Sequence, residues 1–334
     1  VFWLNLYFSD VQIRAVPIPL KYKTSTSLPQ NLQTQIFKTN TNLTNQKLIT
    51  PQKPKTMSIL KSFKKLKAEK KKIVVVTSYD YWSAKILSET EVDGILVGDC
   101  SSMVMHGFDT TLNSDVETIA MHLRAVVKGA NNKFIIAALP FMANRKGLEK
   151  AMDNVEILMK AGAKAVKIEG VDGNEKLIAH LTQSGIPVVG HIGLTPSHHQ
   201  ALGGFKVQGK TEEEEAKIVA DAIRLQELGC FSVVLEAVPS HVGAAVRDAI
   251  EIPVIGVGAG LECDGQALVL HDMLGFCTDF KPKFVRTYMY GAELIKEAVN
   301  AFASDVRTEQ FPAEKECYAP AKNTAPEKKL RIAA

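Results

Sequence analysis

Five side chains capable of acid–base, nucleophilic or metal chemistry stand at the ends of short apolar runs. They are Asp99, Lys167, Glu169, His191 and Glu236, with Cys100 next to the first. A charged group inside an apolar run is costly unless it is paired or bound to a cation. Gathering the five at one place would supply that compensation. Two carboxylates, with water and substrate oxygens, suit Mg²⁺. Such an ion acidifies the carbon beside the ketone of a 2-oxo acid. A lysine adds positive charge where the enolate forms, and a separate glutamate takes the proton. Each residue also has a plainer reading. Asp99 can cap a helix, Lys167 and Glu169 share a strand face and can form a structural ion pair, and His191 can be a satisfied interior histidine. Glu236, closing an unbroken apolar run, is the hardest to dismiss.

The runs that carry these residues recur from residue 73 onward, at 73–77, 94–98, 134–139, 165–169, 187–193, 232–237, 253–258 and, least clearly, 267–271. Each is nearly continuous in apolar character, as parallel strands buried on both faces are. Helical patterns lie between them. Ser114-Asp-Val-Glu117 reads as a capping box opening a helix that Gly129 closes. Thr211-Glu-Glu-Glu214 reads as another, its acidic first turn matched to the helix dipole. Eight strand–helix units predict an α/β protein, a closed (β/α)8 TIM barrel of the phosphoenolpyruvate/pyruvate-like kind, with a doubly wound open sheet as the alternative. In a barrel the carboxyl ends of the strands share one mouth, where active sites are built. The glycines at 256–260 lack a dinucleotide fingerprint; they read as places where backbone passes close to substrate or to a helix. His198 and His199, after a Thr-Pro turn, read as exposed loop residues.

The ends of the chain differ from its centre. Residues 1–56 carry seven basic side chains against Asp10 alone, so with +4 overall the remaining 278 residues carry −2. A near-neutral body gives no reason to expect nucleic acid as a partner. The first segment has two readings: a mitochondrial presequence, or an extension upstream of a start at Met57, which would leave the protein cytoplasmic. Met57 opens an amphipathic helical pattern (Ile59, Leu60, Phe63, Leu66), and the catalytic domain is read as 57–311. Residues 312–334, rich in Ala, Pro and Lys, read as a loose tail. Five scattered cysteines without a C-x-x-C argue against a disulfide framework or structural zinc. No run approaches the roughly 18 apolar residues of a membrane helix, so no membrane partner is expected.

The strand-end segments resemble ketopantoate hydroxymethyltransferases (3-methyl-2-oxobutanoate hydroxymethyltransferases) from about residue 57 to 318. The matching pieces, in order, are Thr-Ser-Tyr-Asp at 77–80, Leu-Val-Gly-Asp at 96–99, Leu-Pro-Phe-Met at 139–142, Val-Lys-Ile-Glu-Gly at 166–170, Gly-His-Ile-Gly-Leu-Thr-Pro at 190–196, Gly-Gly-Phe-Lys-Val-Gln-Gly at 203–209, Leu-Glu at 235–236 and Ile-Gly-Val-Gly-Ala-Gly at 255–260. The resemblance implies a (β/α)8 barrel that makes ketopantoate from 3-methyl-2-oxobutanoate, with 5,10-methylenetetrahydrofolate as co-substrate, in pantothenate biosynthesis. It implies Mg²⁺ or a similar cation on Asp99 and Glu169. Substrate contacts fall on Asp99, Cys100, Lys167 and His191, and Glu236 is the proton acceptor. It also implies small-molecule substrates and a homo-oligomer, a decamer in the family.

Three departures stand out. The family usually has Ser where Cys100 stands, and a thiol is the weaker hydrogen-bond partner. Ala138 stands where the family has a metal- and substrate-binding Asp. The Cys-Ser-Ser sequence at 100–102 replaces a Ser-Leu-Gly-like loop. Ala138 motivates one competing expectation, a catalytically weakened relative that binds ligand or assembles with other subunits; a different 2-oxo acid carbon–carbon lyase on a similar barrel is another.

Overall fold

The protein is described from a computed structural model covering residues 59–278 and 281–318. The expectations for residues 1–56 and for most of the tail (319–334) lie outside the described residues. The short 3-10 turn Glu314–Glu316 falls within the stretch read as tail.

Eight parallel strands close into a barrel: β1 (Ile73–Thr77), β2 (Gly94–Val97), β3 (Phe134–Ala138), β4 (Ala165–Glu169), β5 (Val188–Gly193), β6 (Ser232–Glu236), β7 (Val254–Val257) and β8 (Gly265–Leu268). Closure is made by β8 on β1, in register from Ile73–Gly265 to Val76–Leu268. That ladder excludes the doubly wound alternative. In chain order the helices are α1 (Ile59–Ala68), α2 (Tyr81–Ser88), α3 (Ser101–Val104), α4 (Val116–Gly129), α5 (Leu148–Lys160), α6 (Glu175–Gln183), α7 (Glu212–Glu227), α8 (Ser240–Ala249), α9 (Leu270–Met273) and α10 (Gly291–Arg307).

Strand periodicity divides the core in two. Ile95, Val97, Ile135, Val166, Ile168 and Leu235 face outward against helix residues such as Leu123, Leu158 and Leu225. The alternate residues, among them Val75, Phe134, Ile136, Val189, Val234 and Ile255, fill the barrel axis. Phe63 of α1 packs edge-on against Phe134 at 5.5 Å and near Phe231 at 6.1 Å, plugging the amino-terminal end. Burying one such ring stabilises by about 2–3 kcal/mol. The inward set continues along the strands from Ile136 to Ala138, from Ala165 to Lys167 and Glu169, from Val189 to His191, and from Val234 to Glu236. Apolar side chains therefore fill the lower barrel, and the ionisable ones come to its carboxyl end.

Two local expectations need correction. The last strand is Gly265–Leu268, not 267–271, and Leu270–Met273 is helical. Asp264 sets that register: its carbonyl accepts from Ile73 N (3.0 Å) and its carboxylate from Val254 N (2.9 Å). Leu270 N then turns to the Thr77 hydroxyl (3.1 Å) and leaves the sheet. At α4 the cap is Asp115, which accepts from Thr118 N, while Ser114 donates to Asp99 O at 3.4 Å. Thr211 caps α7 as expected, accepting from Glu214 N. The glycine cluster does serve close approach. At Gly260 (φ +90°) a Cβ would come within 2.7 Å of Ser240 at the start of α8, and at Gly258 (φ +67°) within 2.6 Å of the Phe284 ring.

α10 presents Leu294, Ile295, Val299 and Phe302 as exposed apolar side chains, the last three along one helical face. No helix among the described residues is long and apolar enough to cross a membrane.

Candidate active site

Strand register brings four of the predicted residues side by side. Glu169 pairs with His191 across β4–β5, and Gly193 pairs with Glu236 across β5–β6. The Lys167 ammonium donates to Glu169 Oε1 at 3.0 Å and lies 2.9 Å from His191 Nδ1. With Nδ1 accepting, the ring proton sits on Nε2, which stands 3.3 Å from Glu236 Oε2 but makes no hydrogen bond among the described residues. His191 thus bridges the buried Lys167–Glu169 pair and the more open Glu236, whose side chain is 19% exposed. Both plain readings are partly present: Lys167 and Glu169 are an ion pair, and His191 is an interior histidine. Both nonetheless face the shared mouth.

Asp99 does not cap the helix that follows it. α3 starts at Ser101 without a side-chain cap bond, and Asp99 Oδ2 is buried with no hydrogen-bond partner among the described residues. Burial, and then the charge of Glu169, push its carboxyl up to about 6, with Lys167 and His191 opposing. Asp99 therefore feels the same charges as the β4–β5 cluster. Glu169 moves the other way: burial works against its charge, but Lys167 and His191 hold it well below the usual carboxylate range. Burial opposes the Lys167 ammonium, yet Glu169 and Asp99 keep it above the ordinary lysine range. Desolvation first, then the Asp99 charge, push the Cys100 thiol up to about 12, so it stays protonated. For His191, burial and Lys167 disfavour the cation, while Glu169 and Glu236 outweigh them and leave it above its ordinary value.

Ala138 is fully buried and lies opposite Lys167 in the β3–β4 ladder. A Cβ placed on Gly98 would lie 3.4 Å from its methyl group. The departure read from the sequence therefore falls at the mouth itself, between Lys167 and Gly98.

Several participants carry no sequence signal. Ser197 donates a backbone N–H to Glu169 Oε2 (3.0 Å), a bond any residue but proline could make. Asn174, fully buried, donates to the carbonyls of Glu169 (2.9 Å) and Gly170 (3.0 Å). Tyr79, 1% exposed, has its hydroxyl beside the Cys100 thiol without a hydrogen-bond partner among the described residues. Its place in a quoted motif was the only available hint. His198 and His199 are not exposed loop residues. His199 is 9% exposed and stacks on Phe205 at 5.0 Å, while His198 bonds the Thr195 hydroxyl and reaches the mouth. The 3-10 turn Pro196–His198 folds the pair back onto the barrel.

A closed parallel barrel with ionised side chains converging at the carboxyl ends of its strands is the architecture of a (β/α)8-barrel enzyme. Among solved structures, the barrel is similar to phosphonopyruvate hydrolase crystallised with oxalate and Mg²⁺, at 14% identity and a TM-score of 0.50, over 78% of this chain and 93% of that one. That likeness concerns the fold alone. Sequence comparison is more specific. The family profile for ketopantoate hydroxymethyltransferase matches residues 57–314. The 3-methyl-2-oxobutanoate hydroxymethyltransferase of Bdellovibrio bacteriovorus is 53% identical over 262 residues, 78% of this chain and 100% of the relative. Those of Coxiella burnetii and Francisella tularensis subsp. novicida are 51% and 45% identical over 77% and 78% of this chain, and 97% and 99% of their own lengths. The chain belongs to the ketopantoate hydroxymethyltransferase family.

Proposed function

We propose that this protein transfers a hydroxymethyl group from 5,10-methylenetetrahydrofolate to 3-methyl-2-oxobutanoate, giving 2-dehydropantoate (ketopantoate), the precursor of pantothenate. The observation that carries the reading is the His191 bridge: a partly open carboxylate, Glu236, is set 3.3 Å from an imidazole that leans on a buried lysine–glutamate pair. This combination offers a base at the mouth and positive charge deeper in. Relatives at 45–53% identity share the transferase name across the whole barrel. A weakened assembly subunit and another carbon–carbon lyase are accordingly not favoured.

The donor set fits a divalent cation. Asp99 Oδ2 is buried and unpartnered, and Asp99 is pushed up partly by Glu169; a cation between two such carboxylates relieves both penalties. Among the described residues no group of three or more His, Cys, Asp or Glu is arranged to hold a metal. Asp99 and Glu169 would be the protein ligands of an ion that keeps water and substrate oxygens, which is the habit of Mg²⁺. Held there, it would supply the charge that acidifies the carbon beside the ketone.

The protein's own groups do the rest. Lys167 stabilises negative charge growing on the 2-oxo group. Cys100 and Asp99 border the same space. His191 lines the pocket beside Glu236, its Nε2 3.3 Å from Oε2. Water adds to the carrier's methylene carbon and its C–N bonds break, with protons going to the carrier nitrogens, so that tetrahydrofolate leaves a one-carbon unit at the aldehyde level. Glu236 takes the C3 proton, C3 bonds to that carbon, and the proton passes to the resulting alkoxide as the hydroxyl. The exposed apolar face of α10 fits burial in a homo-oligomer. The test is solvent exchange of the C3 proton of 3-methyl-2-oxobutanoate in D₂O with Mg²⁺, followed by NMR. Folded protein that shows no exchange refutes the reading.

A further inference from the structure

The two oxygens of Glu169 face different spaces. Oε1 meets Lys167 and His191 on the barrel axis, whereas Oε2 meets Ser197 N. On the Ser197 side a cleft of about 360 Å³ opens between the segment after β3 and the turn after β5. None of the roles assigned above uses it.

Its walls are unlike those of the charged axis. Phe141 and Met142 expose 41% and 38% of their surface, and Met142 is held at φ +60°. A non-glycine residue in that region costs about 1–2 kcal/mol, a strain that clusters at ligand-binding segments. Asn144 donates to Asn174 Oδ1 at 2.9 Å, and Asn174 in turn holds the backbone of Glu169, so the cleft wall is tied to the site acid. Arg145 donates to Asp172 O at 2.8 Å but has no ion-pair partner among the described residues. His198 forms the facing side. An aromatic face, a thioether, an amide and an uncompensated guanidinium together suit a flat heterocycle with an anionic tail. A small 2-oxo acid held at Lys167 needs none of them.

We propose that this cleft binds the one-carbon carrier, with its tetrahydropterin and aminobenzoyl rings against Phe141 and Met142 and its glutamate carboxylate on Arg145. The assignment rests on the transferase reading. It puts the carrier on the Oε2 side of Glu169 and leaves the Oε1 side, with Lys167, to the oxo acid.

The test uses the full-length enzyme with Arg145→Glu, Arg145→Lys and Phe141→Ala. In Arg145→Glu the KM for 5,10-methylenetetrahydrofolate rises about tenfold or more, while that for the oxo acid stays within about twofold. Arg145→Lys recovers most of the loss, and Phe141→Ala raises the same KM alone. In direct titration the wild type binds tetrahydrofolate more tightly than tetrahydropteroate, which lacks the glutamate, and Arg145→Glu loses that preference. Unchanged folate KM in both Arg145→Glu and Phe141→Ala overturns the assignment, as does a parallel rise for both substrates. Wild-type enzyme that exchanges the C3 proton but does not turn over the folate would overturn the transferase reading instead.

Discussion

Ala138 and Lys167 lie directly opposite each other on β3 and β4, at the level where the charged residues begin. Ala138 brings only a methyl group to this level of the barrel, and Gly98 on the other side adds no side chain. Ala138→Asp would place a third carboxylate next to Lys167 and Asp99. We expect Mg²⁺ affinity, measured by calorimetry, to rise by about tenfold or more, and the metal-free protein to lose stability through added like-charge repulsion. Unchanged affinity would place residue 138 outside the metal's surroundings.

Glu236→Gln keeps the shape of the side chain beside His191 but removes the base. C3 proton exchange should fall by about 10²–10⁴-fold, with binding of 3-methyl-2-oxobutanoate largely retained. Exchange at the wild-type rate would move the base elsewhere.

The raised Asp99 carboxyl ties metal binding to pH. Its folded value of about 6 lies above the ordinary 3.8, so the metal-free fold binds a proton that the unfolded chain has released. Stability from this group grows as pH falls from about 6 toward 4 and is lost as pH rises through 6. His191, also raised, acts in the same direction, while Glu169 opposes only below its ordinary value of 4.5. Mg²⁺ needs the ionised carboxylate, so its stabilising effect in thermal melts should shrink below pH 6. In Asp99→Asn that pH dependence should disappear; its survival would assign it to another group.

Tyr79→Phe removes a buried hydroxyl that makes no hydrogen bond among the described residues. Relieving such a group should raise stability by about 1 kcal/mol, seen as a higher melting temperature. If the hydroxyl serves the oxo acid beside the weak thiol donor Cys100, KM for that substrate rises in the same variant. A loss of stability would instead show that the hydroxyl is satisfied in solution.

Much of this was readable from residue order because it depends on neighbours in the chain. The apolar runs foretold all eight strands, seven of them to within a residue or two. Strand alternation foretold that Lys167 and Glu169 share a face, and strand ends pointed to His191 and Glu236. The exceptions arose where distant partners compete with local pattern. Asp264 holds both β1 and β7 and so moves β8; Asp115 takes the cap of α4 while its neighbour Ser114 turns to Asp99. His199 is buried by stacking on Phe205 across a turn whose own sequence looks exposed. Closure of the barrel, the electrostatic coupling of Asp99 to Glu169, and the separate surroundings of Glu169 Oε1 and Oε2 are properties of space. Such relations depend on distances between residues tens of positions apart, which packing sets and local residue preference does not encode.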